Sequence, residues 1–319
     1  MSPAQLEPAE AVTPLAAATH HVTPHPPLFS DTPEDRALFA ANFDHSPFQF
    51  RHTLQHHPDF QLPALLSAAE RINANPITAA RAHFESGTPD RNAWFGARPD
   101  GQTLVDALAS IQSGKNWVIL KRIHEDPTYA RVLNEIIPEL SRVSGVDIPK
   151  VYYDPTMTIF ITSPGRITPY HMDGETNFLA QIRGAKLAYI YDGANHKVLS
   201  PQQLELYWTG NLPKIDYPEN LPHGHWQYTL APGNGVFNPA IFPHWLQNGD
   251  DVSISVSMNF KRRHNATIGA HRTNRFLRRL GLNPTPPGNN PTLDRVKEAT
   301  FGRLYEAAHN TATTLKSRK

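Results

Sequence analysis

The chain of 319 residues has no cysteine. That excludes disulfides, thiolate nucleophiles, iron–sulfur clusters and cysteine-rich zinc modules, and it leaves His, Asp and Glu as the side chains able to hold a metal. A long apolar run is also missing: no window approaches the ~18 uninterrupted apolar residues of a membrane helix, and no basic start with an apolar core opens the chain, so a cytoplasmic protein without membrane contact is expected. Charge of one sign is lacking too, with a net of +1, so the total points to no polyanionic or polycationic partner. What is present is an ordinary globular balance, 39% hydrophobic and 18% charged, together with 30 prolines that call for many turns and some unfolded sequence.

Residues 1–33 mix Pro, Ala, Thr and His without a repeating apolar face and read as a disordered or loosely docked arm. Its His20, His21 and His25 lack the fixed geometry that makes a strong metal site. Residues 34–148 read as a helical scaffold. Leu104, Leu108 and Ile111 share a stripe, and Asp126-Pro127 offers a cap and first-turn proline for a helix through Val132, Leu133, Ile136, Ile137 and Leu140 to Gly145. After Pro149 the period changes. Short apolar runs at 151–153, 157–162, 178–182, 187–191 and 252–260 are separated by turn residues at hairpin-like intervals, which predicts an antiparallel barrel or jelly roll over 149–262. The aromatic, proline-broken stretch 198–228 is expected to be an insertion or lid. Residues 263–319 return to helix, where Leu293, Val296, Leu304 and Ala308 form a stripe that either packs on the protein's own core or makes a homodimer.

His171 and Asp173, in Thr168-Pro-Tyr-His-Met-Asp-Gly-Glu-Thr-Asn177, are two residues apart, a spacing that a strand presents on one face. Taken alone, such a pair is more often a solvated loop than a ligand pair. Here Pro169 fixes an extended approach, an alternating strand follows, and a third ligand is available at His244 in Phe242-Pro-His-Trp245. Two imidazoles and one carboxylate make the facial triad that holds non-haem Fe(II) with positions left open for substrate or molecular oxygen. Lys186 is in phase with Ala188 and Ile190; if that phase faces the interior, the ammonium needs an anionic partner, which a dicarboxylate cosubstrate would supply. Asn177 and Gln181 share one strand face, and Asn259 shares another with Ser253, Ser255 and Ser257, opposite Val252, Ile254, Val256, Met258 and Phe260. Such a strand commonly has water on its polar side; the equal alternative is that the apolar side packs on helices while the polar side lines a cavity.

The run from Thr168 to Lys186, with Val236 to Phe260 as a second block, resembles the JmjC (cupin-like) Fe(II)/2-oxoglutarate oxygenases, and within them it is most similar to the hypoxia-inducible-factor asparaginyl hydroxylase type. The resemblance covers roughly a third of the chain. It implies a mainly β fold, a double-stranded β-helix (cupin, jelly-roll) core with N-terminal and C-terminal helices. It implies Fe(II) held by His171, Asp173 and His244, and 2-oxoglutarate held by Lys186 and Thr168 at its distal carboxylate, with Asn177 and Asn259 lining the same pocket. The implied activity is hydroxylation of a C–H bond in a protein, peptide or small-molecule substrate, with succinate and carbon dioxide as coproducts. The family's upstream tyrosine has no counterpart in Asn116-Trp-Val-Ile-Leu-Lys-Arg122, where Trp117 and Lys121 are the residues able to take its place, and Lys261 stands where the similar type has an aromatic residue. A different class of function is carried by the basic run Lys261 to Arg279: no acidic residue lies between Asp251 and Asp294, so a non-enzymatic cupin-type regulator that binds nucleic acid is the alternative, although a solvated basic helix is the more ordinary explanation.

Overall fold

The computed structural model describes residues 26–87, 90–92, 101–210, 215, 217, 226–263 and 266–302. Eleven strands are found among them: β1 (Phe48–Arg51), β2 (Ala82–Ser86), β3 (Asn116–Leu120), β4 (Tyr152–Thr162), β5 (Ile167–His171), β6 (Thr176–Arg183), β7 (Lys186–Ile190), β8 (Trp226–Leu230), β9 (Asn234–Asn238), β10 (His244–Asn248) and β11 (Ser253–Arg262). They form two antiparallel sheets, one of seven strands in the order β1-β9-β6-β11-β4-β3-β2 and one of four in the order β5-β10-β7-β8. From β4 onward the chain passes repeatedly from one sheet to the other, and this winding defines the double-stranded β-helix.

Side-chain alternation explains why two sheets form. Along β11, Ile254, Val256, Met258 and Phe260 are buried against one core together with Val132, Leu133, Ile136 and Leu140 from the helix Pro127–Ser144. Fully burying a side chain of this kind contributes about 1.5–3 kcal/mol, so this outer face supplies much of the adhesion between sheet and helices. The helix is delimited as its sequence predicts: Asp126 caps the Thr128 N–H, Pro127 occupies the first turn, and Gly145 ends it with φ of 68°. Phe43, Phe48, Phe178 and Phe237 continue the same core with ring centroids 4.9 to 6.0 Å apart.

Three features differ from the sequence reading. The region 34–148 is not purely helical, because β1, β2 and β3 extend the large sheet at both edges. β3 is buried at every position, so it lacks the alternation that marks a half-buried strand. The C-terminal region holds a helix at Ala266–Arg279 and a second at Pro291–Lys297 that passes into a π turn at Glu298–Gly302, the last described residues. There Leu293 and Val296 are exposed rather than packed on the core, while Leu304 and Ala308 lie outside the described residues. The predicted insertion contains the helix Pro201–Trp208, started by a Ser200–Gln203 capping box. His223 and His225, like the arm histidines His20, His21 and His25, fall outside the described residues. No described helix is long and apolar enough to cross a membrane.

Candidate metal centre and adjoining cavity

β5 and β10 are neighbours in the small sheet, with His171 directly opposite His244. Their rings lie 4.2 Å apart between centroids, and the Nε2 atoms stand 3.7 Å (His171) and 3.9 Å (His244) from the same carboxylate oxygen of Asp173. One ligand atom from each of the three residues falls within 4.8 Å of the others, a spacing that a single ion would fill. His171 is the last residue of β5, so Asp173 lies just beyond the paired strand, ahead of the bend at 174–175.

Both imidazoles are oriented from behind. His171 Nδ1 lies 2.7 Å from the Pro169 carbonyl, a contact that places the proton on Nδ1 and leaves Nε2 as a lone-pair donor, and His244 Nδ1 lies 3.0 Å from both the Phe242 carbonyl and the Asn238 side-chain amide, which orient its ring. Burial, and then the neighbouring His171, push the His244 pKa down to about 4, which keeps it neutral near pH 7, the form that binds metal. The loop between β9 and β10 carries Ile241 at φ of 67°, a left-handed backbone that is an outlier for a β-branched residue and costs about 1–3 kcal/mol.

All seven residues singled out from the sequence, His171, Asp173, His244, Thr168, Lys186, Asn177 and Asn259, line one cavity of about 420 Å³ between the two sheets. Lys186 lies in it with 4% exposure, confirming the interior phase of β7. Its Nζ donates to Ser255 Oγ at 2.7 Å, and Ser255 in turn donates to Gln181 at 2.7 Å. No carboxylate among the described residues pairs with this ammonium, and burial brings its pKa down to about 7. Asn177 donates to Asn259 Oδ1 at 2.6 Å and to Ser257 Oγ at 2.5 Å, so the polar face of β11 is cross-linked to β6 by side chains. Thr168 lines the cavity from β5.

Trp117, Ile119 and Lys121 also line the cavity, so the stretch in which a substitute for the tyrosine was sought reaches this space. Trp117 Nε1 is buried without a hydrogen-bond partner, and its ring is covered at 4.9 Å by the Arg166 guanidinium. Arg166 itself is buried in an ion pair with Glu85 on β2. Sequence reasoning missed this buried pair, since no local pattern links residues so far apart. It also gave no role to Glu175, which sits at the mouth with Lys261; there burial and the nearby Asp173 raise the Glu175 pKa. Lys261 is held by Asp154 at 2.7 Å, and Arg122 lies 3.7 Å from the same carboxylate. A second cavity, of about 690 Å³, shares Glu175 and Lys261 with the first and is walled by Tyr153, Tyr207, Trp208 and Phe242.

No protein-family model matches the chain. By sequence it is similar to Lysine-specific demethylase 8 of Danio rerio, 27% identical over 111 residues that make up 33% of this chain and 27% of that protein. It is also similar to Lysine-specific demethylase 8 of Xenopus tropicalis, 28% identical over 108 residues, 32% of this chain and 24% of the other. The matched part thus spans about a quarter of the length of these curated relatives. Among solved structures, the Escherichia coli ribosomal oxygenase YcfD aligns at a TM-score of 0.47 with 14% identity, covering 85% of this chain and 66% of that one. YcfD in complex with cobalt and 2-oxoglutarate aligns at 0.43 with 12% identity, covering 78% and 58%.

Proposed function

We propose that the protein is an Fe(II)- and 2-oxoglutarate-dependent dioxygenase of the JmjC, cupin-like kind that hydroxylates a C–H bond of a protein, peptide or small-molecule substrate. The carrying observation is that the two-His, one-Asp triad opens into the cavity whose interior holds Lys186, a buried ammonium with a hydroxyl but no carboxylate for a partner. His171, Asp173 and His244 would hold the metal. Bound iron would supply the activation of molecular oxygen, and one oxygen atom would go to succinate while the other goes to the hydroxylated product, with carbon dioxide released.

The chain's own residues have separate tasks. Lys186 offers a charge-assisted contact to a distal carboxylate, and Thr168 lines the same space. An anion there would give the buried ammonium the counter-charge it otherwise lacks. Ile119, Phe160, Leu179 and Leu246 add apolar surface to a wall that is otherwise largely polar. Substrate would approach through the aromatic-walled second cavity that meets the first at Glu175 and Lys261. The likeness of Thr168–Lys186 to the asparaginyl hydroxylase type supports hydroxylation as the outcome. The demethylase relatives make N-methyl C–H bonds a variant of the same chemistry, recognised by release of formaldehyde.

Calorimetric titration of Co(II)- or Mn(II)-loaded protein with 2-oxoglutarate, followed by measurement of succinate with Fe(II) and oxygen, tests the proposal. Binding and turnover are expected; metal uptake without 2-oxoglutarate binding would reject it in favour of a cupin that uses its metal differently. The regulator reading is weakened by how the basic run is used: Lys261 pairs with Asp154, Arg262 with Asp44 and Arg278 with Glu205. Self-association through the C-terminal helices stays part of the proposal, supported by the exposure of Phe276, Leu280, Leu282 and Val296; sedimentation of the wild type checks it.

A further inference from the structure

Asp173 lies beyond the end of β5, and its carboxylate stands against the two imidazoles with Glu175 and Tyr207 close enough to sense its charge. Its backbone is tied separately. The Asp173 carbonyl accepts a hydrogen bond of 2.7 Å from the N–H of Ile241, the residue held at φ of 67° in the loop 239–243. A β-branched residue stays in that region only when its surroundings leave it no alternative. Gly193, just after β7, supplies that constraint: a Cβ added there would fall 2.0 Å from the Ile241 carbonyl oxygen and 2.8 Å from its carbon. Tyr191 N–H donates to the Pro243 carbonyl at 2.8 Å, and the Phe242 carbonyl orients His244 Nδ1 at 3.0 Å. The segment 191–193 thus backs a loop whose other side carries one metal ligand and holds another.

We propose that Ile241, seated by Gly193, is a positioning residue for the metal centre, fixing the Asp173 carboxylate against the two imidazoles through the Ile241 N–H to Asp173 carbonyl bond. The inference rests on the metal reading above. It accounts for a glycine at 193, where the close approach and not the backbone angle excludes a side chain, because the φ of Gly193 is not in the left-handed region.

Co(II) titration monitored by visible absorption, with thermal midpoints of the metal-free proteins, tests it on the full chain. Gly193→Ala pushes on the Ile241 carbonyl and is expected to weaken Co(II) binding by about 10-fold or more, the range usual for groups that orient ligands. Ile241→Asn keeps the N–H and tolerates the left-handed backbone, so its affinity is expected to stay within about threefold of wild type even where loss of the apolar side chain lowers the midpoint. Gly193→Ala binding as tightly as wild type, or Ile241→Asn losing as much affinity as Gly193→Ala, overturns the inference. Should Gly193→Ala not fold, hydrogen exchange in the wild type decides: the Ile241 amide is expected to exchange slowly and to slow further with Zn(II), and exchange at an unprotected rate overturns the inference. A wild type that takes up no Co(II) defeats the metal reading itself, whereas tight binding in both wild type and Gly193→Ala defeats only the positioning role.

Discussion

Two lysines share the central cavity and are treated in opposite ways. Lys186 is buried, bonded only to a neutral hydroxyl, and its pKa is driven down to about 7 by burial. Lys261, whose pKa is raised by its hydrogen bond to Asp154, is only half-buried. A cation already paired and solvated has little left to offer a ligand, whereas one kept from water without a counter-charge gains most when an anion arrives. The contrast separates a buried cation without a counter-charge from one already paired, where composition and location alone would not.

The largest effect is expected between the two lysines, where His171→Ala or Asp173→Ala should weaken Co(II) binding by more than about 100-fold and abolish succinate formation while the far-UV circular dichroism is retained. Next, Lys186→Met should reduce 2-oxoglutarate affinity by about 30- to 1,000-fold, the cost of truncating one partner of a buried charge pair, and leave Co(II) affinity within about twofold. Equal losses of metal and cosubstrate would contradict its role. The same lysine predicts two pH dependences of opposite sign. Its folded-state pKa of about 7 lies below the ordinary 10.5, so between those values the unfolded chain holds more protons, and the ligand-free protein should gain a few kcal/mol of stability as pH rises. Binding of a dicarboxylate needs the ammonium, so 2-oxoglutarate affinity should fall as pH rises above about 7. Thermal midpoints and titrations from pH 6.5 to pH 9 read both, and Lys186→Met should flatten each (the window being roughly that of the shift). The smallest effect belongs to Lys261→Ala: about 0–1 kcal/mol in stability and less than about a twofold change in 2-oxoglutarate affinity. A larger loss of cosubstrate binding there would erase the distinction between the two sites.

Much of the site is legible in the sequence because it follows strand periodicity. The phase of Lys186 with Ala188 and Ile190 is buried as read, and of the polar face of β11 Ser257 and Asn259 line the cavity. Where the geometry departs from that periodicity the sequence is silent. Asp173 lies beyond the paired part of β5, and Ile241 adopts a backbone that its residue type disfavours. β3 carries no alternation to mark it as a strand because it is buried on both faces. The pairing of Arg166 with Glu85 depends on long-range closure of the sheet, for which a single sequence carries no local signal.

The pairing of His171 with His244 joins strands from opposite halves of the barrel. A nascent or partly unfolded chain can present His171 and Asp173 together, yet it acquires the third donor only when β10 zips onto β5. Such non-local closure comes late and slowly compared with helix formation. The metal would therefore be captured tightly only by a finished barrel, making uptake of the ion a checkpoint on completed folding instead of a template for it.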